Sequence, residues 1–170
     1  MDLNEMKKEL FYEPKHAMET VSDETVKLAD DFCEGYKDYL DFAKIERESV
    51  EFFIKEAESK GYTEFDNTKK YNAGDKVYFN NRNKAIILCV FGKKSIADGV
   101  KISAAHIDSP RLDLKPNPLY EDSSLAYFKT HYYGGIKKYQ WTAIPLALHG
   151  VVVKANGESV KVTIGEDEND

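Results

Sequence analysis

The chain has 170 residues, a formal charge of −6 at pH 7, 42% hydrophobic and 12% aromatic residues. That is enough for one ordinary domain with a core, and the acidity argues against a non-specific nucleic-acid binder, whose footprint is basic. No run approaches the roughly 18 apolar residues of a membrane span. The start Met1-Asp2-Leu3-Asn4-Glu5 lacks the charged-then-apolar layout of a signal peptide, so a cytoplasmic address is the expectation.

Residues 1 to 20 are mixed, with Pro14 interrupting and Phe11-Tyr12 as the expected anchor. Ser22 reads as an N-cap, with Asp23 and Glu24 in the first turn, where the helix dipole favours acids. Val26, Ala29, Phe32 or Cys33, Tyr36 and Leu40 recur at three- and four-residue spacing, which predicts a helix to about Ala43. A second helix is predicted from Glu46 to Lys60, with Val50, Phe53, Ile54 and Ala57 as its stripe and Gly61 as its stop. Lys76 to Phe79, a polar Asn80-Asn81-Arg82-Asn83 turn and the apolar run Ala85 to Phe91 predict a hairpin with a buried second strand. Cys33 and Cys89 fall in a helix-like and a strand-like segment and read as buried, reduced thiols.

Gly99 to Ser103 alternates apolar and polar residues, which predicts a strand, and Ser103 to Ala105 are small enough for close backbone approach. His106 then falls at the strand's C-terminal end, with Asp108 two residues on and Pro110 ending the ladder. A neutral imidazole binds Zn²⁺ through one nitrogen, and a carboxylate nearby orients the ring. The same pair in a surface turn would only hydrogen-bond local backbone, and the spacing alone does not separate the two readings.

Beyond Lys115 the texture changes. Pro116, Pro118 and Glu121-Asp122-Ser123-Ser124 read as a linker and a domain boundary. Strands are predicted over 125–132, 143–154 and 159–164, and Asn156-Gly157 is a hairpin-turn signal. The interleaved aromatics and lysines of His131 to Trp141 could stack RNA bases, but the net acidity and the lack of a ribonucleoprotein motif favour an interface or packed loop. Neither His131 nor His149 has a carboxylate or cysteine at ligand spacing, so both read as structural or interfacial.

His106-Ile107-Asp108-Ser109-Pro110-Arg111-Leu112-Asp113-Leu114-Lys115-Pro116, followed by Thr130-His131-Tyr132-Tyr133-Gly134-Gly135, resembles the aspartyl aminopeptidase and aminopeptidase I family of zinc metallopeptidases. Gly135 to Trp141 and Pro145-Leu146-Ala147-Leu148-His149-Gly150 bring it nearer the aminopeptidase I branch. The resemblance covers most of the chain and is most specific between residues 99 and 153. It implies an α/β fold: the N-terminal part of a mixed-sheet catalytic domain over 1–117, then the start of an inserted β-rich dimerisation domain over 118–170.

It also implies a metal-dependent aminopeptidase that removes N-terminal residues from peptides, with two zinc ions in the complete site. His106 aligns with a metal ligand and Asp108 with the catalytic aspartate beside it. Homo-oligomers built from dimers, up to a dodecamer, are the implied assembly, with no nucleic-acid or membrane partner. The family's other ligands and its glutamate general base lie after the insertion, and no Glu-Glu pair follows Asp108 in these residues. The 170 residues alone are therefore expected to be inactive, and a non-catalytic binding or assembly module is the alternative. Trp141-Thr142-Ala143-Ile144-Pro145 is apolar where the aspartyl branch carries acids, so a preference for acidic substrates does not carry over. The partner-subunit histidine of the family has no match in this range.

Overall fold

The computed structural model describes residues 2–12 and 14–167, in two compact units, Met1–Asp41 and Phe42–Asp170. The first unit is helical. Helix α1 spans Leu3–Leu10, with the Glu5 carboxylate accepting the Asp2 amide at 3.1 Å. Helix α2 spans Asp23–Phe42, and Ser22 caps it as expected by accepting the Thr25 amide at 3.3 Å. Phe11 and Tyr12 do not anchor this segment, being 69% and 89% exposed. The stripe of α2 is likewise unburied, with Phe32 and Cys33 both exposed. Periodicity identified the helix, but burial needs an apolar surface to receive it, and no residue of α2 is buried.

The second unit is built around α3 (Glu46–Ser59), whose first turn carries Glu46 and Glu48 and which ends at Gly61 with φ +82°. It packs on a three-stranded mixed sheet. Strand β1 (Thr63–Glu64) pairs parallel with β2 (Lys76–Asn81), and β2 pairs antiparallel with β3 (Ala85–Val90). The β2–β3 turn has Arg82 and Asn83 at φ +58° and +56°, the two positive angles that match a tight hairpin to the strand twist.

The core between helix and sheet is small. Val50, Ala57, Val77 and Tyr78 are its buried apolar side chains among the described residues. The Tyr78 hydroxyl donates to Glu58 at 2.8 Å, and that hydrogen bond, with burial and the Glu58 charge, pushes its pKa up to about 12. Strand β3 forms where expected but is not buried: Ile87 is 63% exposed and Cys89 is exposed. An apolar strand hides only when a second layer covers its face, and no described element covers this one fully.

Two further hairpins complete the unit. Strand β4 (Arg111–Asp122) pairs with β5 (Leu125–Tyr133), and β6 (Leu148–Val153) pairs with β7 (Ser159–Ile164). The stretch that reads as a linker is in fact strand β4, with a register break between Leu114 and Leu119 that accommodates Pro116 and Pro118. Ser123 and Ser124, at φ +51° and +61°, make the two-residue hairpin turn. Asn156-Gly157 turns β6 into β7 as expected, with the Lys154 amide donating to the Glu158 carbonyl. Residues 143–147 lie outside the strand, part of the connection after a short α4 (Lys138–Trp141). The strand expected over 99–103 does not form; residues 99–109 are irregular and lead into β4 at Arg111. Alternation gives an extended chain, but a strand exists only by pairing, and no described strand pairs with this segment.

Candidate metal site around His106 and Asp108

The segment 106–110 is held from two sides. On one, Ser49 of α3, 1% exposed, donates through Oγ to the Ile107 carbonyl at 3.2 Å. On the other, the end of β5 closes on it: Gly134 takes φ +75°, and a Cβ there would lie 3.3 Å from Pro110 Cα. Only glycine allows both that angle and that approach without strain.

Within this frame His106 and Asp108 come together. The His106 side chain is 82% exposed, and its Nδ1 lies 2.8 Å from the Asp108 backbone carbonyl and 3.3 Å from Asp108 Oδ1. Both neighbours are acceptors, so Nδ1 carries the proton and donates, which leaves the lone pair on Nε2. That is the tautomer of an imidazole that binds a metal through Nε2. The backbone carbonyl sits nearer the ring than the carboxylate does, so the peptide takes part of the orienting role that sequence reading assigns to the side chain.

The Tyr133 hydroxyl, then a backbone hydrogen bond and the charges of His106 and Arg111, hold Asp108 below the usual carboxylate range. The Asp108 carboxylate in turn pushes the Tyr133 phenol up. Arg111 stands opposite Tyr133 across the β4–β5 ladder, its guanidinium 4.3 Å from the ring centroid and its Nε donating to Asp113 at 2.7 Å.

Among the described residues no group of three or more His, Cys, Asp or Glu side chains is arranged to hold a metal. His106 thus offers one nitrogen, with Asp108 beside it. His131 lies on β5, stacked on Tyr132 at 5.5 Å. His149, on β6, is committed elsewhere: Nδ1 lies 3.2 Å from Glu48 and Nε2 2.9 Å from Glu166. Sequence reading did not single out Ser49 and quoted Tyr133 only within the motif that ends at Gly135. Ser49 is 58 residues from Ile107, and the register of two strands sets Tyr133 opposite Arg111.

An exposed histidine beside a carboxylate, on a loop between a helix–sheet layer and a hairpin, suits one corner of a metallohydrolase site. The model of the family described as aminopeptidase I zinc metalloprotease (M18) matches residues 39–170, and the chain belongs to that family. A probable M18 family aminopeptidase 1 of Clostridium acetobutylicum is 48% identical over 169 residues, covering 97% of this chain and 36% of the relative. The crystal structure of aminopeptidase I from Borrelia burgdorferi matches with a TM-score of 0.85 and 38% identity, over 92% of this chain and 39% of that one. An M18 aminopeptidase structure from Thermotoga maritima gives 0.82 and 38%, over 94% and 35%. The mixed α/β fold is therefore that of part of an M18 aminopeptidase, and the chain spans little more than a third of these relatives' length.

Proposed function

We propose that this chain contributes part of the active site of a zinc aminopeptidase that removes N-terminal residues from peptides. His106 is the zinc ligand, through Nε2, and Asp108 is the carboxylate that orients the ring and tunes the metal. The observation that carries this reading is the Nδ1 contact with the Asp108 carbonyl, which leaves Nε2 free on an exposed ring in a member of a zinc peptidase family. Zinc, when bound, supplies Lewis acidity toward the scissile carbonyl and the attacking water. The chain's own residues hold the ligand's tautomer and keep a carboxylate ionised beside it. Each catalytic zinc takes about three protein ligands, so residues outside these 170 must supply the rest, and the 170 residues alone turn over no peptide.

We assign residues 1–117 to the catalytic part and 118–170 to the start of an assembly portion, supported by the β4–β5 and β6–β7 hairpins that make up most of the latter, with β4 running across the boundary. Leu119, Leu125 and Phe128 of β4–β5, each more than half exposed, are the surface for a second copy, in a dimer-based oligomer. We place the protein in the cytoplasm, supported by the free Cys33 and Cys89, as suits a reducing compartment. No described helix is long and apolar enough to cross a membrane.

The test joins residues 1–170 to the remaining length of the Clostridium acetobutylicum relative and measures zinc content and peptide turnover. His106→Ala should lose metal and activity together. Full zinc content in that variant would make the ligand assignment wrong. Intact mass of the 170-residue chain by itself, with zinc analysis, checks the alternative of a binding or assembly module: a folded, soluble, zinc-free monomer favours it.

A further inference from the structure

We propose that Ser49 is a positioning residue of this site, its hydroxyl fixing, through the Ile107 carbonyl, the backbone that orients the His106 ring. The inference rests on the assignment of His106 as a zinc ligand made above.

Residues 99–109 belong to no strand, and no described strand pairs with them. No ladder therefore sets the carbonyl directions of the ligand loop, and its shape depends on individual tethers. Ser49 supplies one of them. It closes the first turn of α3, and its amide donates to the Ile45 carbonyl at 3.1 Å, so the helix holds its backbone. The residue is 1% exposed, beside Val50 at 0%. A hydroxyl so deeply buried costs free energy unless it is hydrogen-bonded, and this one donates to the Ile107 carbonyl at 3.2 Å, across 58 positions of sequence.

Ile107 stands between the two site residues. Its carbonyl belongs to the peptide unit that carries the Asp108 amide, so the hydroxyl fixes that plane. The next carbonyl along, of Asp108, lies 2.8 Å from His106 Nδ1. Beyond it the chain is restrained again, where Gly134 comes up against Pro110. The Asp108 carbonyl is thus set between two restraints, one from α3 and one from the turn after β5. Releasing the first lets the Asp108 peptide turn, and the ring loses the acceptor that keeps the proton on Nδ1 and the lone pair on Nε2.

The test uses the joined full-length enzyme. Ser49→Ala removes the hydroxyl, and Ser49→Cys keeps the size with a weak donor in its place, in case the alanine variant does not fold. Either should bind zinc about 10-fold more weakly in chelator competition, on the scale of residues that orient a ligand. Either should also shift the absorption spectrum of the cobalt-loaded enzyme, which reads the ligand geometry. Val50→Ala takes apolar volume from the same helix and removes no hydrogen bond. It should lower the midpoint of denaturant unfolding and leave zinc affinity and the cobalt spectrum as in the wild type.

Wild-type zinc affinity and an unshifted cobalt spectrum in the Ser49 variants would overturn the proposal. So would an equal weakening in Val50→Ala, which would reduce Ser49 to a part of the core. If His106→Ala loses its zinc in those cases, the ligand assignment stands and only the serine's role fails. If His106→Ala keeps full zinc, the assignment itself fails and this inference goes with it.

Discussion

His106 and His149 sit in the same compact unit, each beside carboxylates, yet their surroundings suit opposite uses. The His106 side chain is 82% exposed, with Nδ1 engaged by Asp108. The His149 side chain is 10% exposed, wedged between Glu48, itself 3% exposed, and Glu166, with Lys161 3.4 Å from the same Glu48 oxygen. One ring keeps a lone pair accessible; the other spends both nitrogens, Nδ1 on Glu48 of α3 and Nε2 on Glu166 just past β7. A histidine becomes a ligand candidate by what is left unbonded, not by the carboxylate next to it.

That contrast can be broken by experiment in the joined full-length enzyme. The largest effect belongs to His106→Ala, which should lower turnover by at least about a thousandfold, as loss of several kcal/mol of metal-derived stabilisation requires. His149→Ala should keep its zinc, so equal zinc losses in the two variants would erase the distinction. Next comes Asp108→Asn, expected to retain most of the zinc while losing about 10–100-fold in turnover; metal analysis beside steady-state kinetics separates the two.

A smaller effect is in stability. His149→Ala leaves the buried Glu48 without one of its donors and should destabilise the fold by about 1–3 kcal/mol, read as a lowered midpoint in denaturant unfolding. An unchanged midpoint would mean that the His149 contacts contribute nothing to holding α3 and the hairpin together. The smallest effect is a pH dependence. Burial pushes the Glu48 carboxyl up, but hydrogen bonds from His149 and the Lys44 amide, with the charges of His149 and Lys161, outweigh it and hold it below its ordinary value. Its contribution is thus fully present above the ordinary carboxylate pKa and is lost as pH falls through the depressed folded value. The stability gap between wild type and Glu48→Gln should narrow in that acid window, and a gap constant with pH would show that the ionised form is not the one stabilised.

Tertiary pairing decided more than local pattern at the residues that matter most. The helices over 23–42 and 46–59 were legible because caps and three- and four-residue spacing are local signals, and the β2–β3 and β6–β7 turns because Asn-rich and Asn-Gly sequences tolerate their backbone angles. Strand β4 was not, since two prolines and a Ser-Ser turn look like linker until a partner strand and a register break make room for them. The expected strand before His106 failed for the converse reason, alternation without a partner.

By itself the sequence determined the chemistry available: a histidine and an aspartate two apart in an M18 pattern, helices at given places, and an acidic chain. Only the tertiary structure decided which histidine keeps a free nitrogen, that the Asp108 peptide shares in orienting it, and that Ser49 and Gly134 hold the loop. Apart from the local His106–Asp108 contact, these join residues far apart in sequence, 58 positions for Ser49 and Ile107 and 101 for Glu48 and His149. Local pattern carries no information about which distant side chains a fold will bring within hydrogen-bonding distance.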